Sequence, residues 1–286
     1  MRAVMTVARL TIWEASRRRL LLALVLLTLA IVVLTGWGYS RLWTVRDRGL
    51  PVSAVEVRLL TSQILILITF VFAAVLALSS ILVAAPSISG EIESGLALSI
   101  LARPLYRAQW LLGKWFGLAF LVVLYALAAG WLELLAADLT TGYMPPHPWP
   151  ALALVMGEGL VLLTLSLALS TRLAGMTAGI ISLVCYFMAW VGGIVAGVGL
   201  ALHNAPLSDV GGVSRLLLPT DGLWRGAVWA LEPASVLALA HGAGPAAAAN
   251  PFLVADPPAP AFLAWAGVWI VLVLGLAVLS LRSREL

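Results

Sequence analysis

Between residues 89 and 117 the chain reads SGEIESGLALSILARPLYRAQWLLGKWFG and places Glu91, Glu93, Arg103, Arg107 and Lys114 within 24 residues. Two carboxylates followed by three cations at this density must face water or another protein, because burying an unpaired charge is costly. A second ionisable side chain, Glu158, lies inside the apolar run 151–170. A charged acid at the centre of a bilayer costs roughly 2.5–3.5 kcal/mol on insertion scales, so such residues face a bundle interior or a wet cavity. Two roles are open to it: a protonated glutamate hydrogen-bonded to a neighbouring helix, or a polar lining of a substrate path.

Other chemistry would need constellations that the chain lacks. There is no GxxxxGK[ST] phosphate loop, and the Gly113-Lys114 pair is followed by Trp115, so no nucleotide site of its own is expected. Neither HExxH nor GxSxG occurs, and His147, His203 and His241 are scattered without ligand spacing. Cys185 is the single cysteine and lies in an apolar run, which removes intrachain disulfides and cysteine-based metal sites. The expectation is a chain that is not an enzyme and binds no cofactor or metal itself.

The elements that must position these side chains follow from composition. Of 286 residues, 62% are hydrophobic and 10% charged, with mean hydropathy +1.06, far from the soluble range of about half apolar and a quarter charged. The chain is expected to be an all-α membrane protein, one transmembrane domain over 1–286, with spans at 20–40, 59–86, 110–136, 151–170, 174–202 and 261–281. Each satisfies the requirement of roughly 20 apolar residues per crossing. Residues 1–19 carry Val4, Val7, Ala8, Ile12 and Ala15 at helical spacing and read as an interfacial amphipathic helix. Pro86 is expected to end the second span. The charged segment 88–109 then connects spans 2 and 3, and 203–260 is a long segment with a helical piece near 213–239 followed by an irregular Ala/Pro/Gly tract. Span 5 carries two small-xxx-small pairs, Gly175 with Gly179 and Gly193 with Gly197, that would let another helix approach closely.

Charge sets the orientation. Segments 1–19, 87–114, 171–174 and 282–286 hold five, three, one and two Arg/Lys, against four and two on the opposite face, so both termini and the charged segment are expected to be cytoplasmic. The high isoelectric point, near 9.7, reflects arginines at span ends rather than a nucleic-acid surface.

Three groups of residues, Glu91-Ile92-Glu93-Ser94-Gly95, Arg103-Pro104-Leu105-Tyr106-Arg107, and Leu112-Gly113-Lys114 with Gly117, together resemble the signature of permeases of the ATP-binding-cassette type 2 transporter family. There an acidic E-x-E-x-G-T turn precedes a helix, a proline, an arginine and a Gly-Lys entering the third span; Leu96 stands here where threonine is usual. Within the family the chain looks most like the branch of the nitrous-oxide-reductase maturation permease and of multidrug or bacteriocin-type exporters. Pro219-Thr220-Asp221 with Leu223-Trp224-Arg225 resembles a weaker family feature. The resemblance implies a coupling helix between spans 2 and 3, seated on a separate ATPase subunit that is present in two copies and carries ATP and Mg. Glu91 and Glu93 would dock at the start of that helix, Gly95 would allow close approach, and Arg103 would follow after the helix. Pro104 would redirect the chain, and Arg107 and Lys114 would anchor span 3 at the headgroups. It further implies a homodimeric exporter in a bacterial or archaeal plasma membrane, with the glycine pairs of span 5 as a dimer or helix contact. A non-transporting anchor that relays ATP hydrolysis to an extracytoplasmic partner at 203–260 is the alternative, and an integral membrane enzyme is a third.

Overall fold

The computed structural model describes residues 2–16, 19–47, 50–96 and 106–284. The helices are α1 (Arg2–Ser16), α2 (Arg19–Leu42), α3 (Ala54–Glu93), α4 (Arg107–Thr141), α5 (Pro148–Ser170), α6 (Gly175–Ala201), α7 (Ala205–Leu217), α8 (Thr220–Leu231), α9 (Ala234–Ala243) and α10 (Pro260–Arg282), with a 3-10 turn at Gly244–Ala249. Six of them, α2 to α6 and α10, are long and apolar enough to cross a membrane. The fold is an all-α membrane protein. A two-residue antiparallel pairing of Arg46–Asp47 with Leu50–Pro51 interrupts it between α2 and α3.

Local chemistry sets the helix ends. Ser53 and Glu56 form a reciprocal capping box at the start of α3, Ser53 N–H donating to Glu56 Oε2 at 2.7 Å and Glu56 N–H to Ser53 Oγ at 3.3 Å. Gly142 ends α4 in the left-handed region, φ 66°, its N–H donating to Asp138 O. Pro86 does not end the second span, as the sequence suggests: it lies within the 40-residue α3. Prolines are tolerated inside membrane-spanning helices where neighbouring helices pack closely, and at Pro86 the neighbour is α6, where a Cβ at Gly175 would lie 3.0 Å from Pro86 Cα. Residues 88–93 of the expected coupling segment are therefore the last turns of α3.

The 203–260 segment also differs from expectation. Its helical piece is divided at Pro219 and Pro233, which lack the N–H that a continuous helix requires, and α7 and α8 fold back against α6 and α5 respectively. Only 250–259 is irregular.

Helix α5 is the centre of the bundle, contacting α3, α4, α6, α8 and α10, while α2 packs mainly along α4. One apolar core lies around Leu65, Leu162, Trp224 and Leu231, and a second around Ile88, Trp110, Leu163 and Leu281 toward the end that holds both termini.

Helix α1, the expected interfacial helix, is seated on the protein along one face. Val7, Ala8, Thr11 and Ala15 are buried against α4, where Gly113 and Gly117 supply the room: a Cβ at 113 would lie 2.9 Å from Val4 O, and one at 117 would lie 2.7 Å from Ala8 O. Its other face, Met5, Leu10 and Trp13, is exposed and apolar, the composition expected to face lipid. Gly117→Val is expected to displace α1 at a cost of about 1–3 kcal/mol. Proteolysis of residues 2–16 should accelerate while the six spans remain inserted; unchanged protection would contradict the glycine contact.

Candidate functional site

At the terminal end, the carboxylates of the charged segment stand at the C-terminus of α3, not at the start of a following helix. A helix C-terminus disfavours negative charge, and Glu91 is compensated by direct partners: Lys114 Nζ donates to its Oε1, and Trp110 Nε1 to its Oε2 at 3.2 Å. Lys114 is only 5% exposed. Both residues thus brace α3 to α4; Glu91 is not a free docking carboxylate and Lys114 is not a headgroup anchor. Glu93, one turn half-step away, is exposed. Gly95 adopts φ 74° and ends the turn with its N–H on Ile92 O. Among the described residues nothing lies within 4 Å of a Cβ placed there, and the left-handed backbone conformation by itself favours glycine. Arg103 and Pro104 lie outside the described residues.

Arg107 is likewise turned inward. Its Nη1 donates to the carbonyls of Leu281, Arg282 and Arg284, at 3.2, 3.1 and 2.5 Å, capping the end of α10 where backbone oxygens lack helical partners and cations are favoured. Arg284 Nη1 donates to Thr171 O at 2.7 Å, and Arg172 Nε to Ser280 Oγ at 2.9 Å. The starts and ends of α4, α5, α6 and α10 are tied by arginines. Beside the brace, a cavity of about 270 Å³ opens between α1, α3 and α4, lined by Thr11, Pro86, Gly90, Ser94 and Lys114 among others.

Deeper in the bundle the ionisable groups are more numerous than the sequence reading found. Glu158 is buried on α5, with Tyr186 of α6 and Asp221 of α8 as its electrostatic neighbours. Asp221 Oδ2 accepts from Arg215 Nε at 2.8 Å and Arg225 Nε at 3.3 Å, and Arg225 Nη2 donates to Gly193 O at 2.8 Å. Glu133, overlooked within the third span, accepts from Thr35 Oγ1 at 3.0 Å and from the Tyr39 hydroxyl at 3.3 Å. Thr28 and Tyr125, 2.6 Å apart, and Trp43 Nε1 donating to Thr140 O at 2.9 Å extend this ladder along α2 and α4. The signal was present: Thr28, Thr35 and Tyr39 fall on one face of the first span, and such a polar stripe needs polar partners.

The span-5 glycines are consumed within the chain. A Cβ at Gly175 would press on Pro86, at Gly193 on Asp221, and at Gly197 on Ala248 O, while one at Gly179 would make ordinary contact with Ala85 at 3.5 Å. They are helix-packing contacts, not a face open to a second copy.

Outside the spans, Glu232 follows α8 fully buried, with neither carboxylate oxygen hydrogen-bonded. Burial pushes its carboxyl up to about 7. Among the described residues no group of three or more His, Cys, Asp and Glu could hold a metal ion. No family model matches the chain, and no curated protein matches it.

Two outcomes follow for stability. Lys114→Met should cost about 3 kcal/mol by leaving Glu91 without its cation, and adding Glu91→Gln should recover much of the loss; a double-mutant cycle in denaturant measures this. For Glu232, the folded acid binds its proton more tightly than the unfolded one. Stability therefore falls as pH rises from the ordinary carboxylate range to about 7 and stays lowered above it. Glu232→Gln should flatten this part of the thermal-denaturation profile and stabilise the chain above pH 7.

Proposed function

We propose that the chain is the permease half of an ATP-driven exporter, moving a substrate through the membrane when a separate ATPase subunit acts on residues 94–106. The observation that carries this reading is the cross-braced pair α3 and α4. These helices, of 40 and 35 residues, are joined by that short connection and locked together beside it by Glu91, Lys114 and Trp110. A force applied to the connection is passed to both helices at once, and through Arg107 to α10. The exposed Glu93 and the left-handed turn at Gly95 lead into the connection. With no phosphate loop in the sequence, ATP and Mg belong on the partner, and the resemblance of residues 91–117 to type 2 permeases agrees with this division. Glu158 and its neighbours then supply polar lining for the path. The membrane is the plasma membrane of a bacterium or archaeon, with both termini cytoplasmic, as the arginine distribution favours.

Six spans make one of the two bundles that alternating access requires, so two permeases and two ATPases form the complex, most economically with a homodimeric membrane part. Because the glycine face of α6 is occupied, the contact would use its outward face, where Met176, Ile180, Val184, Phe187 and Val191 are exposed.

The reading is tested by purifying the tagged chain from its native membrane. ATPase activity should co-purify with the wild type and fall about tenfold with Glu93→Lys. A wild-type preparation that carries no ATPase would defeat the proposal. In a Cys185→Ser background, Ile180→Cys or Val184→Cys should give a crosslinked dimer and Gly179→Cys should not; the reverse pattern would move the contact to the glycine face of α6, and no crosslink at any of the three would remove α6 from it.

A further inference from the structure

The interior of the bundle holds polar atoms that no described protein group satisfies. Glu158 Oε2, Asp221 Oδ1, Trp190 Nε1 and Trp224 Nε1 are all buried without a hydrogen-bond partner among the described residues. They belong to facing surfaces. Tyr186, Trp190 and Gly193 recur at helical spacing on α6, and Asp221, Trp224 and Arg225 do so on α8. Gly193 is what allows the two helices to meet, since a Cβ there would occupy the place of the Asp221 carboxylate. Phe70 touches both indoles, with ring centroids at 5.8 Å from Trp190 and 5.3 Å from Trp224, and Phe252 stands edge-on to Phe70 at 5.2 Å. An aromatic layer thus lies beside the polar groups.

Two orphan acceptors and two orphan donors in one buried region call for a ligand, because more than nine-tenths of buried polar groups in native proteins are paired with protein or water. Its chemistry is constrained by the charges around it. Arg215 and Arg225 disfavour a metal cation, and the unpaired carboxyl oxygens of Glu158 and Asp221 disfavour an anion. A neutral molecule able to donate and accept, together with a proton, meets both conditions.

We propose that Glu158, Tyr186 and Asp221 enclose a proton-binding site with ordered water between α5, α6 and α8, exchanging with the bundle end opposite the termini along Arg225 and Arg215. Proton uptake forms an O–H bond on the Glu158 carboxylate and moves no electrons. The group formed by Glu158, Asp221, Arg215 and Arg225 passes from neutral to one net positive charge. The titratable groups acting on Glu158 are Tyr186 from α6 and Asp221 from α8, with the two arginines behind Asp221. Within the spanning part of α3, and in α10 before Arg282, there is no titratable side chain; of those on α4, Tyr125 and Glu133 meet α2, Lys114 meets Glu91 at the end of α3, and Arg107 and Asp138 stand near the two ends of the helix. Exposure is graded along the route: the side chain is 1% exposed at Asp221, 11% at Arg225 and 30% at Arg215. The site is a property of the folded chain and stands whether or not the transport reading does.

The test is an infrared difference spectrum between acidic and alkaline pH of the full chain in phosphatidylcholine nanodiscs, without an ATPase. The wild type should show a carboxylic-acid carbonyl band that shifts in D2O and titrates with pH. It should be lost in Glu158→Gln and retained in Glu133→Gln and Glu232→Gln. Tyr186→Phe, which keeps the acid but removes the facing hydroxyl, should keep the band and move its titration midpoint; this variant decides the matter if Glu158→Gln does not fold. A band unaltered by Glu158→Gln, or a Tyr186→Phe midpoint equal to that of the wild type, would overturn the proposal.

Discussion

The packing of α5 against five other elements is the contact on which the bundle depends. In lipid there is no hydrophobic force between helices, so close approach and polar pairing must hold them. On α5 the close approach is visible at Gly159, where a Cβ would lie 2.9 Å from Val122 and 3.1 Å from Leu76. Gly130 of α4 similarly makes room for the Leu152 side chain. Ser166 Oγ donates to Ile81 O at 3.2 Å, giving α3 a polar tie to the same helix. With α5 enclosed on these sides, a polar residue such as Glu158 can sit at membrane depth without meeting hydrocarbon.

Around this centre the charged groups divide into two layers with different consequences. At the terminal end they are nearly all paired, Glu91 with Lys114 and Trp110, Arg107 with the carbonyls ending α10, and Arg284 with Thr171. That end behaves as one braced plate, and Glu93 stands exposed beside it. Around α5, α6 and α8 the pairing is incomplete, with unpartnered oxygens on Glu158 and Asp221. Incomplete pairing in a low-dielectric interior is costly, and it marks the place where water or a proton has to be part of the structure. The first layer is rigidly cross-linked and the second holds unsatisfied polar atoms.

Seats for the peripheral helices follow the same logic. α1 can lie across α4 only because residues 113 and 117 are glycines, and α8 can lie against α6 only because residue 193 is. α2 lacks such a seat and is held by the hydroxyl ladder ending on Glu133.

The sequence by itself determined the six crossings, because twenty apolar residues have no stable place except hydrocarbon and a backbone there must be helical. It also marked residues 89–117 as unusual and Glu158 as out of place, since both are violations of an otherwise apolar composition. It misjudged Pro86, Pro219 and Pro233 in opposite directions, a proline's effect being decided by whether neighbouring groups compensate for the lost N–H. Which partner each charge takes was left to the tertiary structure. Glu91 and Glu93 look alike in the chain, yet one faces Lys114 and the other solvent, and the span-5 glycines signal close approach without naming the surface approached. Those choices depend on which helix faces meet across 23 to 174 residues of sequence, a distance over which local spacing carries no information.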